Sequence, residues 1–275
     1  MSTDSTASAT MLSAANLAPV RTVILAGGMG TRLRPYTSIL PKPLLPLGDR
    51  SILELLMKQL SQHGFRDITL SVGHLAHLIE AVLGTGVGRH IDISYVREDI
   101  PLGTAGSLRL VPDLDGTFLV LNGDLVTSLD YRALLRHHRM NRNVLTIATR
   151  RREVRTEYGV LRLKPGTDEP ERILGYDEKP VLEFLVSMGI YVLEPAALAF
   201  VPETGYFDFP DLVHRLIDAG ARVGSYEYDG LWLDIGRPED YERAIALWEE
   251  GQLDSLFEDG GTVSQESASI SAQTG

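Results

Sequence analysis

Residues 20 to 35 read VRTVILAGGMGTRLRP. The first seven, Val20 to Ala26, form a largely apolar, β-branched run that reads as a buried strand. The strand ends in Gly27, Gly28 and Gly30. Glycines let a backbone approach phosphate closely, and successive N–H groups make an anion-binding nest. The pattern is not a P-loop, because no Gly-Lys-Ser/Thr follows, and GGMGTR lacks the glycine spacing of a dinucleotide fingerprint. Taken alone, GGxG also fits a plain tight turn.

Downstream, strand and helix alternate. Ser51 to Gln62 reads as a helix with Ser51 as cap, Glu54 completing a capping box and Gly64 closing the far end. Ile52, Leu53, Leu56 and Leu60 give it an apolar stripe. Strands are predicted over Asp67–Val72, Ile91–Val96, Phe118–Leu121, Val144–Thr149 and Ser187–Leu193, and helices over Phe209–Ala219 and Pro238–Glu250. Strands separated by helices imply a parallel or mixed sheet covered by helices on both faces. Ligands in such sheets sit beyond the carboxyl ends of the strands.

The bulk numbers narrow the function. The 275 residues contain no cysteine, which excludes disulfides and thiolate metal sites and fits a reducing cytoplasm. The formal net charge of -11 argues against nucleic acid as a partner. It also repels anionic small substrates, so a phosphate site must be built from local cations and backbone amides. No apolar run spans a bilayer, and the first residues lack the pattern of a signal peptide. Residues 1–18 and 258–275 are rich in small polar residues and read as disordered tails. Between them, residues 19–257 read as one continuous domain, without an internal repeat.

A second segment, Leu40-Pro41-Lys42-Pro43-Leu44-Leu45-Pro46-Leu47-Gly48, brackets Lys42 with two prolines. A stiffened backbone presents the ammonium as a positioned point charge, suited to a transferring phosphate. A rigid loop carrying a solvated lysine is the plainer reading of that segment alone. Asp124 ends the strand FLVLNGD and Asp234 lies in WLDIG. Singly, the first fits a turn aspartate and the second a capping one. Lys179, before Pro180, singly fits a loop cation.

Together, LAGGMGTRLRPYTSILPKPLLPLG resembles the signature of the sugar-phosphate nucleotidylyltransferases, and the resemblance runs from about Arg21 to about Ala246. FLVLNGD (118–124), Tyr158-Gly159-Val160, Asp177-Glu178-Lys179-Pro180, SMGIYVL (187–193) and Trp232-Leu233-Asp234-Ile235-Gly236 follow in the family's order. The resemblance implies a Rossmann-like three-layer α/β/α sandwich with a mixed, mainly parallel central sheet. It implies a nucleoside triphosphate and a sugar 1-phosphate as substrates, Mg²⁺ as cofactor, a cytoplasmic location and a homo-oligomer, dimer or tetramer. By the same resemblance, Ala26, Gly27, Gly28, Gly30 and Thr31 cradle the triphosphate, and Arg32 and Lys42 neutralise charge during transfer. Asp124 and Asp234 hold the metal. Gly159, Glu178, Lys179 and Gly189 bind the sugar phosphate. Gly103 and Thr104 lie in EDIPLGTAG (98–106), where the family reads the base.

Base and sugar are less fixed. Relatives that use uridine or thymidine nucleotides often carry glutamine near Glu98. A carboxylate only accepts, and guanine offers two adjacent donors, so Glu98 or Asp99 points to GTP. The alternatives are a solvent-facing Glu98 and the same chemistry with dTTP, UTP or CTP. Ser187, where many members have asparagine, puts plain mannose in question and leaves a heptose or a cyclitol phosphate open. Outside catalysis, a nucleotide-sugar sensor that has lost turnover is the rival, although Arg32, Lys42, Asp124 and Asp234 are all retained. A glycosyltransferase is disfavoured, because Asn122-Gly123-Asp124 lacks the second aspartate of an Asp-x-Asp motif. His74 and His77 lack a third partner for a metal. His137, His138, Arg132, Arg136, Arg139 and Arg142 read as a solvated helix face, with a feedback site or subunit interface as the sharper alternative. Tyr226, Tyr228 and Trp232 read as packing residues.

Overall fold

A computed structural model describes residues 20–86, 90–163 and 173–257. The two predicted tails lie outside the described residues. In chain order the strands and helices begin with β1 (Thr22–Ala26), β2 (Pro46–Leu47), β3 (Arg50–Ser51), α1 (Ile52–Gln62), β4 (Asp67–Val72), α2 (Ala76–Leu83), β5 (Asp92–Arg97), β6 (Phe118–Asn122), β7 (Leu125–Thr127) and α3 (Tyr131–Asn141). They continue with β8 (Leu145–Arg155), β9 (Val160–Leu163), β10 (Ile173–Asp177), β11 (Val181–Leu193), α4 (Phe209–Asp218), β12 (Val223–Glu227), β13 (Trp232–Asp234), α5 (Pro238–Glu249) and α6 (Asp254–Phe257).

Among the described residues, seven strands form the central sheet in the order β12-β8-β11-β6-β1-β4-β5. Only β11 runs against its neighbours, antiparallel to both β6 and β8; the other pairs are parallel. The sheet is therefore mixed and mainly parallel, as expected. Its two faces carry separate cores because strand side chains alternate. On β1, Ile24 and Ala26 join Leu53, Leu56 and Leu60 of α1, Ile79 of α2 and Leu134 of α3. Val23 faces the other way, toward Leu108, Ala197 and the α4 residues Phe209, Leu212 and Leu216. Helices cover both faces, giving three layers.

Local signals account for the helix starts. The Ser51 hydroxyl accepts the Glu54 amide at 3.3 Å while the Glu54 carboxylate accepts the Ser51 amide at 3.1 Å, the reciprocal box read from sequence. Asp130 caps α3 by accepting the Arg132 and Ala133 amides at 2.8 and 3.2 Å.

Two strands run longer than expected. β8 extends through Arg150–Arg155 and β11 begins at Val181, and these charged or exposed extensions pair antiparallel from Arg150↔Val186 to Arg155↔Val181. Their cross-strand partners supply hydrogen bonds that composition does not reveal. His138 also differs from the solvated face read on α3. It is fully buried: Nδ1 lies 2.8 Å from the Thr146 hydroxyl and Nε2 lies 3.1 Å from Glu194 Oε1. Asn143 and Thr117 complete this network at 2.9 and 2.8 Å. Tyr226, Tyr228 and Trp232 are partly buried against the first core, as expected of packing residues.

A third apolar cluster positions the site. It joins Leu33 after the glycine turn, Leu45 and Leu47 after Lys42, Ile52 and Leu55 of α1, Val126 of β7, Leu233 and Ile235 around Asp234, and Tyr241 and Ala244 of α5. Arg32, Lys42, Asp124 and Asp234 each stand within three residues of a member of this cluster. The Tyr241 hydroxyl donates to the Pro46 carbonyl at 2.6 Å, tying α5 to the lysine segment.

Candidate active site

The site lies beyond the carboxyl ends of β1, β4, β5 and β6. Ala26 ends β1, and the chain turns through Gly27, Gly28 and Gly30 into a single 3-10 turn, Thr31–Leu33. Gly30 has φ of +59°, and a Cβ there would lie 3.0 Å from Thr37 and 3.2 Å from Lys42. That combination favours glycine, because a side chain would meet both strain and crowding. The Thr37 hydroxyl donates to the Gly30 carbonyl at 2.8 Å and fixes the turn. Gly28 and Thr31 are exposed on the rim, as is Arg32, while Leu33 is fully buried below.

Lys42 opens another 3-10 turn, Lys42–Leu44, and is flanked by Pro41 and Pro43. The Leu44 and Leu45 amides donate back to the Pro41 and Lys42 carbonyls at 2.8 and 3.1 Å. The backbone is thus fixed and the four-carbon stem alone is free to move. The Lys42 ammonium donates to Asp124 Oδ2. Both side chains are shielded, 12% and 18% exposed. Asp124 Oδ1 is buried and has no hydrogen-bond partner among the described residues.

Asp124 follows β6 through Gly123, whose amide donates to the Leu25 carbonyl at 2.9 Å and so locks β6 against β1. β7 then pairs antiparallel with β13, placing Asp234 opposite Leu125. The Ile235 amide donates to the Asp124 carbonyl at 3.1 Å. The two aspartates are thus joined by backbone although 110 positions separate them in sequence. Asp234 is open to solvent on one side and crowded by protein on the other. Burial on the crowded side, then the Asp124 charge, pushes its carboxyl above the ordinary aspartate range. Lys42 and Arg32 pull it down without fully offsetting that.

Two under-compensated carboxylates, one with an orphaned buried oxygen, are a donor set suited to a hard divalent cation. Among the described residues no group of three His, Cys, Asp or Glu side chains is arranged to hold a metal. A cation on Asp124 and Asp234 would therefore complete its shell with water or substrate oxygens, the habit of Mg²⁺.

Glu98 lies at the end of β5. Its Oε1 accepts the Ser71 hydroxyl at 3.1 Å and its Oε2 accepts the Leu102 amide at 3.0 Å. A Cβ on Gly27 would come within 2.7 Å of Oε1, so glycine turn and carboxylate are in close contact. Each oxygen keeps a lone pair for a further donor. Gly103 and Thr104 continue this loop, which is clamped to the start of α4. The Phe207 carbonyl accepts the Ala105 and Gly106 amides at 3.1 and 2.8 Å, and Asp208 accepts the Thr104 amide and hydroxyl at 2.8 and 2.9 Å. Sequence reading missed Asp208. Its position before Phe209-Pro210 signals only a helix cap, yet its side chain also accepts from Thr104.

The remaining predicted residues lie toward the β8–β11 arm. Gly189 sits inside the register shift between Ser187 and Tyr191, against Asn122. Its amide donates to the Ser187 hydroxyl at 3.3 Å. Trp232 donates to the Met188 carbonyl at 3.1 Å, and Arg152 lies 5.6 Å from the Trp232 ring centre. Gly159 faces the Tyr176 hydroxyl, which donates to Glu178 at 2.9 Å. Glu178 and Lys179 are exposed in the turn before β11, and Lys179 has a left-handed φ of +44°, uncommon for a lysine. Glu178 and Lys179 thus stand at the arm, whereas Gly189 is buried against Asn122, two residues before Asp124. His74 and His77 lie at the start of α2, and the backbone amide of His74 donates to the Gly27 carbonyl at 3.3 Å.

A family model described as nucleotidyl transferase matches residues 21–251, nearly all of the described chain. The chain belongs to the nucleotidyl transferase family. Curated relatives include a UTP--glucose-1-phosphate uridylyltransferase from Synechocystis, 35% identical over 246 residues, covering 82% of this chain and 62% of that protein. A mannose-1-phosphate guanyltransferase from Aspergillus fumigatus is 32% identical over 237 residues, covering 83% and 64%. The chain thus spans less than two thirds of the length of these relatives. Among solved structures, HddC from Yersinia pseudotuberculosis superposes with a TM-score of 0.63 at 25% identity, covering 82% of this chain and 98% of that one. The fold is therefore shared with that solved structure, and the glycine turn, Lys42, Asp124 and Asp234 all fall inside the segment matched by the family model.

Proposed function

We propose that this nucleotidyl transferase is a Mg²⁺-dependent, cytoplasmic sugar-1-phosphate nucleotidylyltransferase that works as a homo-oligomer, with GTP as the favoured nucleotide. The observation that carries the reading is the convergence of Lys42, Asp124 with its orphaned Oδ1, and Asp234 beside a glycine turn at the strand ends.

In the reaction, a phosphate oxygen of the sugar 1-phosphate attacks the nucleotide α-phosphorus in line. The bond from that phosphorus to the bridging oxygen of the β-phosphate breaks, and pyrophosphate carries away the electron pair. No covalent link to the protein is needed, so the chain contributes positioning and charge. The amides of Gly27, Gly28, Gly30 and Thr31 cradle the triphosphate, with Ala26 beneath them. Arg32 and Lys42 neutralise the charge that grows on the transferring and leaving oxygens. Asp124 and Asp234 hold Mg²⁺, which when bound supplies charge neutralisation of the phosphates. Gly159, Glu178, Lys179 and Gly189 hold the sugar phosphate. The strained φ of Lys179 fits a residue held for function.

For the base, Glu98, Gly103 and Thr104 line the loop clamped to α4. Glu98 keeps accepting capacity on both oxygens and matches the adjacent N1–H and N2–H donors of guanine. Guanyltransferases among the relatives, from Aspergillus fumigatus and Yarrowia lipolytica, support GTP; the uridylyltransferase relative keeps UTP as the second reading. The test is pyrophosphate release with Mg²⁺ across ATP, CTP, GTP, UTP and dTTP, each paired with glucose, mannose, N-acetylglucosamine, fucose and heptose 1-phosphates. The highest kcat/KM is expected with GTP. GTP as the poorest nucleotide would remove the guanine assignment, and nucleotide binding without turnover on any pair would favour a sensor.

A further inference from the structure

We infer that Lys42 is the resident counter-ion of Asp124, and that it gives up Oδ2 when a divalent cation arrives, so that one lysine both guards the cation site and is released to the phosphates by the exchange. The inference rests on the proposed reading of Asp124 and Asp234 as the cation site.

The Asp124 carboxylate is held unevenly. One oxygen holds the Lys42 ammonium; the other is buried with no hydrogen-bond partner among the described residues. A carboxylate shielded from water is costly unless its charge is compensated. The lysine meets that need in part and at one oxygen only. A divalent cation uses the same lone pairs, so cation and ammonium compete for the carboxylate.

The lysine is built to move while its backbone stays. Pro41 and Pro43 flank it, the Leu44 and Leu45 amides close its turn, and Leu45 is anchored in the third apolar cluster. Only the side-chain torsions are free, and they cost little to rotate. The Lys42 Cβ would sit 3.2 Å from a Cβ on Gly30, so the stem starts beside the glycine turn. An ammonium leaving Asp124 therefore swings within reach of that anion-binding nest. Cation and triphosphate binding must then favour one another, since each removes a cost of the other, and by linkage the coupling is reciprocal.

The test measures Mn²⁺ binding to the full chain without nucleotide, from the free-ion electron paramagnetic resonance signal. Lys42→Met is expected to bind Mn²⁺ about tenfold or more tightly than the wild type, and Asp124→Asn to lose that binding. Equal affinity in wild type and Lys42→Met, with binding lost in Asp124→Asn, would overturn the exchange while leaving the cation site standing. Wild-type affinity in Asp124→Asn would overturn both. A measurement on the wild type guards against a Lys42→Met chain that does not fold. The sequence has four lysines, Lys42, Lys58, Lys164 and Lys179, so peptide mapping after amine acylation resolves each. Saturating Mn²⁺ should raise the acylation rate of Lys42 severalfold relative to Lys58; an unchanged ratio overturns the exchange.

Discussion

The ammonium of Lys42 rests on Oδ2 of Asp124, across 82 positions of sequence, while Oδ1 of the same carboxylate is buried and has no hydrogen-bond partner among the described residues. Removing the lysine therefore has two effects. Lys42→Ala should lower kcat by about 10²–10³-fold, the usual loss for one charge-stabilising group. It should also lower the melting temperature of the metal-free protein, because Asp124 and Asp234 are left facing each other. Millimolar Mg²⁺ should restore most of that stability. A melting curve with and without Mg²⁺ checks this, and a variant as stable as wild type in EDTA would contradict it.

Asp234 gives a pH signature. Its folded-state carboxyl is raised by burial and by Asp124, so the native state holds a proton that the unfolded chain releases. Stability from this group is then lost as pH rises from the ordinary aspartate range through the raised one. Asp234→Asn should melt higher than wild type at pH 7 and equally well below that window, and it should lose activity. Thermal melts at acidic and neutral pH read the difference directly; a neutral-pH melt lower than wild type would count against the electrostatic account.

His138 shifts the other way. Burial is the main cause and lowers it from the usual histidine range, with Glu194 opposing. Glu194 Oε1 also accepts from Thr117, so the neutral ring donates from Nε2 to Glu194 and accepts the Thr146 hydroxyl at Nδ1. On acidification the unfolded chain gains the proton first. Stability should fall as pH drops through about 6.5, the ordinary histidine value. A His138→Gln variant should be less stable at pH 7, with a shallower loss between neutral and mildly acidic pH. Chemical denaturation at several pH values measures both slopes.

Glu98→Gln separates recognition from support. A glutamine can still accept the Leu102 amide and can donate to the Ser71 hydroxyl, so the loop should keep its shape. If Glu98 reads guanine, the kcat/KM ratio of GTP to UTP should fall by about 10-fold or more, as expected when a donor faces a donor. An unchanged ratio with intact turnover would leave Glu98 only the task of holding the loop.

Much of this architecture was legible in the sequence. The Val20–Ala26 run, the Ser51–Glu54 box and the alternation of elements specify the first strand, the first helix and the mixed, mainly parallel class of the sheet, because their causes are local. The glycine turn, the proline-bracketed Lys42 and the two aspartates were readable as chemistry. Their assembly was not. It depends on the third apolar cluster, which gathers Leu33, Leu47, Val126 and Ile235 from across the chain, and no local signal announces a pairing such as Asp234 with Leu125. The charged strand of β8 was invisible for a related reason. Arg150 to Arg155 owe their extended form to β11, not to their own propensity. His138 was hidden among arginines, and only its fit beside Thr146 and Glu194 buries it.

The central claim is that Lys42, Asp124 and Asp234 carry nucleotidyl transfer. The most direct measurement is Mg²⁺-dependent pyrophosphate release from GTP and a sugar 1-phosphate by wild type and by Asp124→Asn, each checked for folding by circular dichroism. The account predicts one pyrophosphate per nucleotide sugar in the wild type and a rate lower by about 10²-fold or more in Asp124→Asn. A folded Asp124→Asn protein that turns over at the wild-type rate would contradict it.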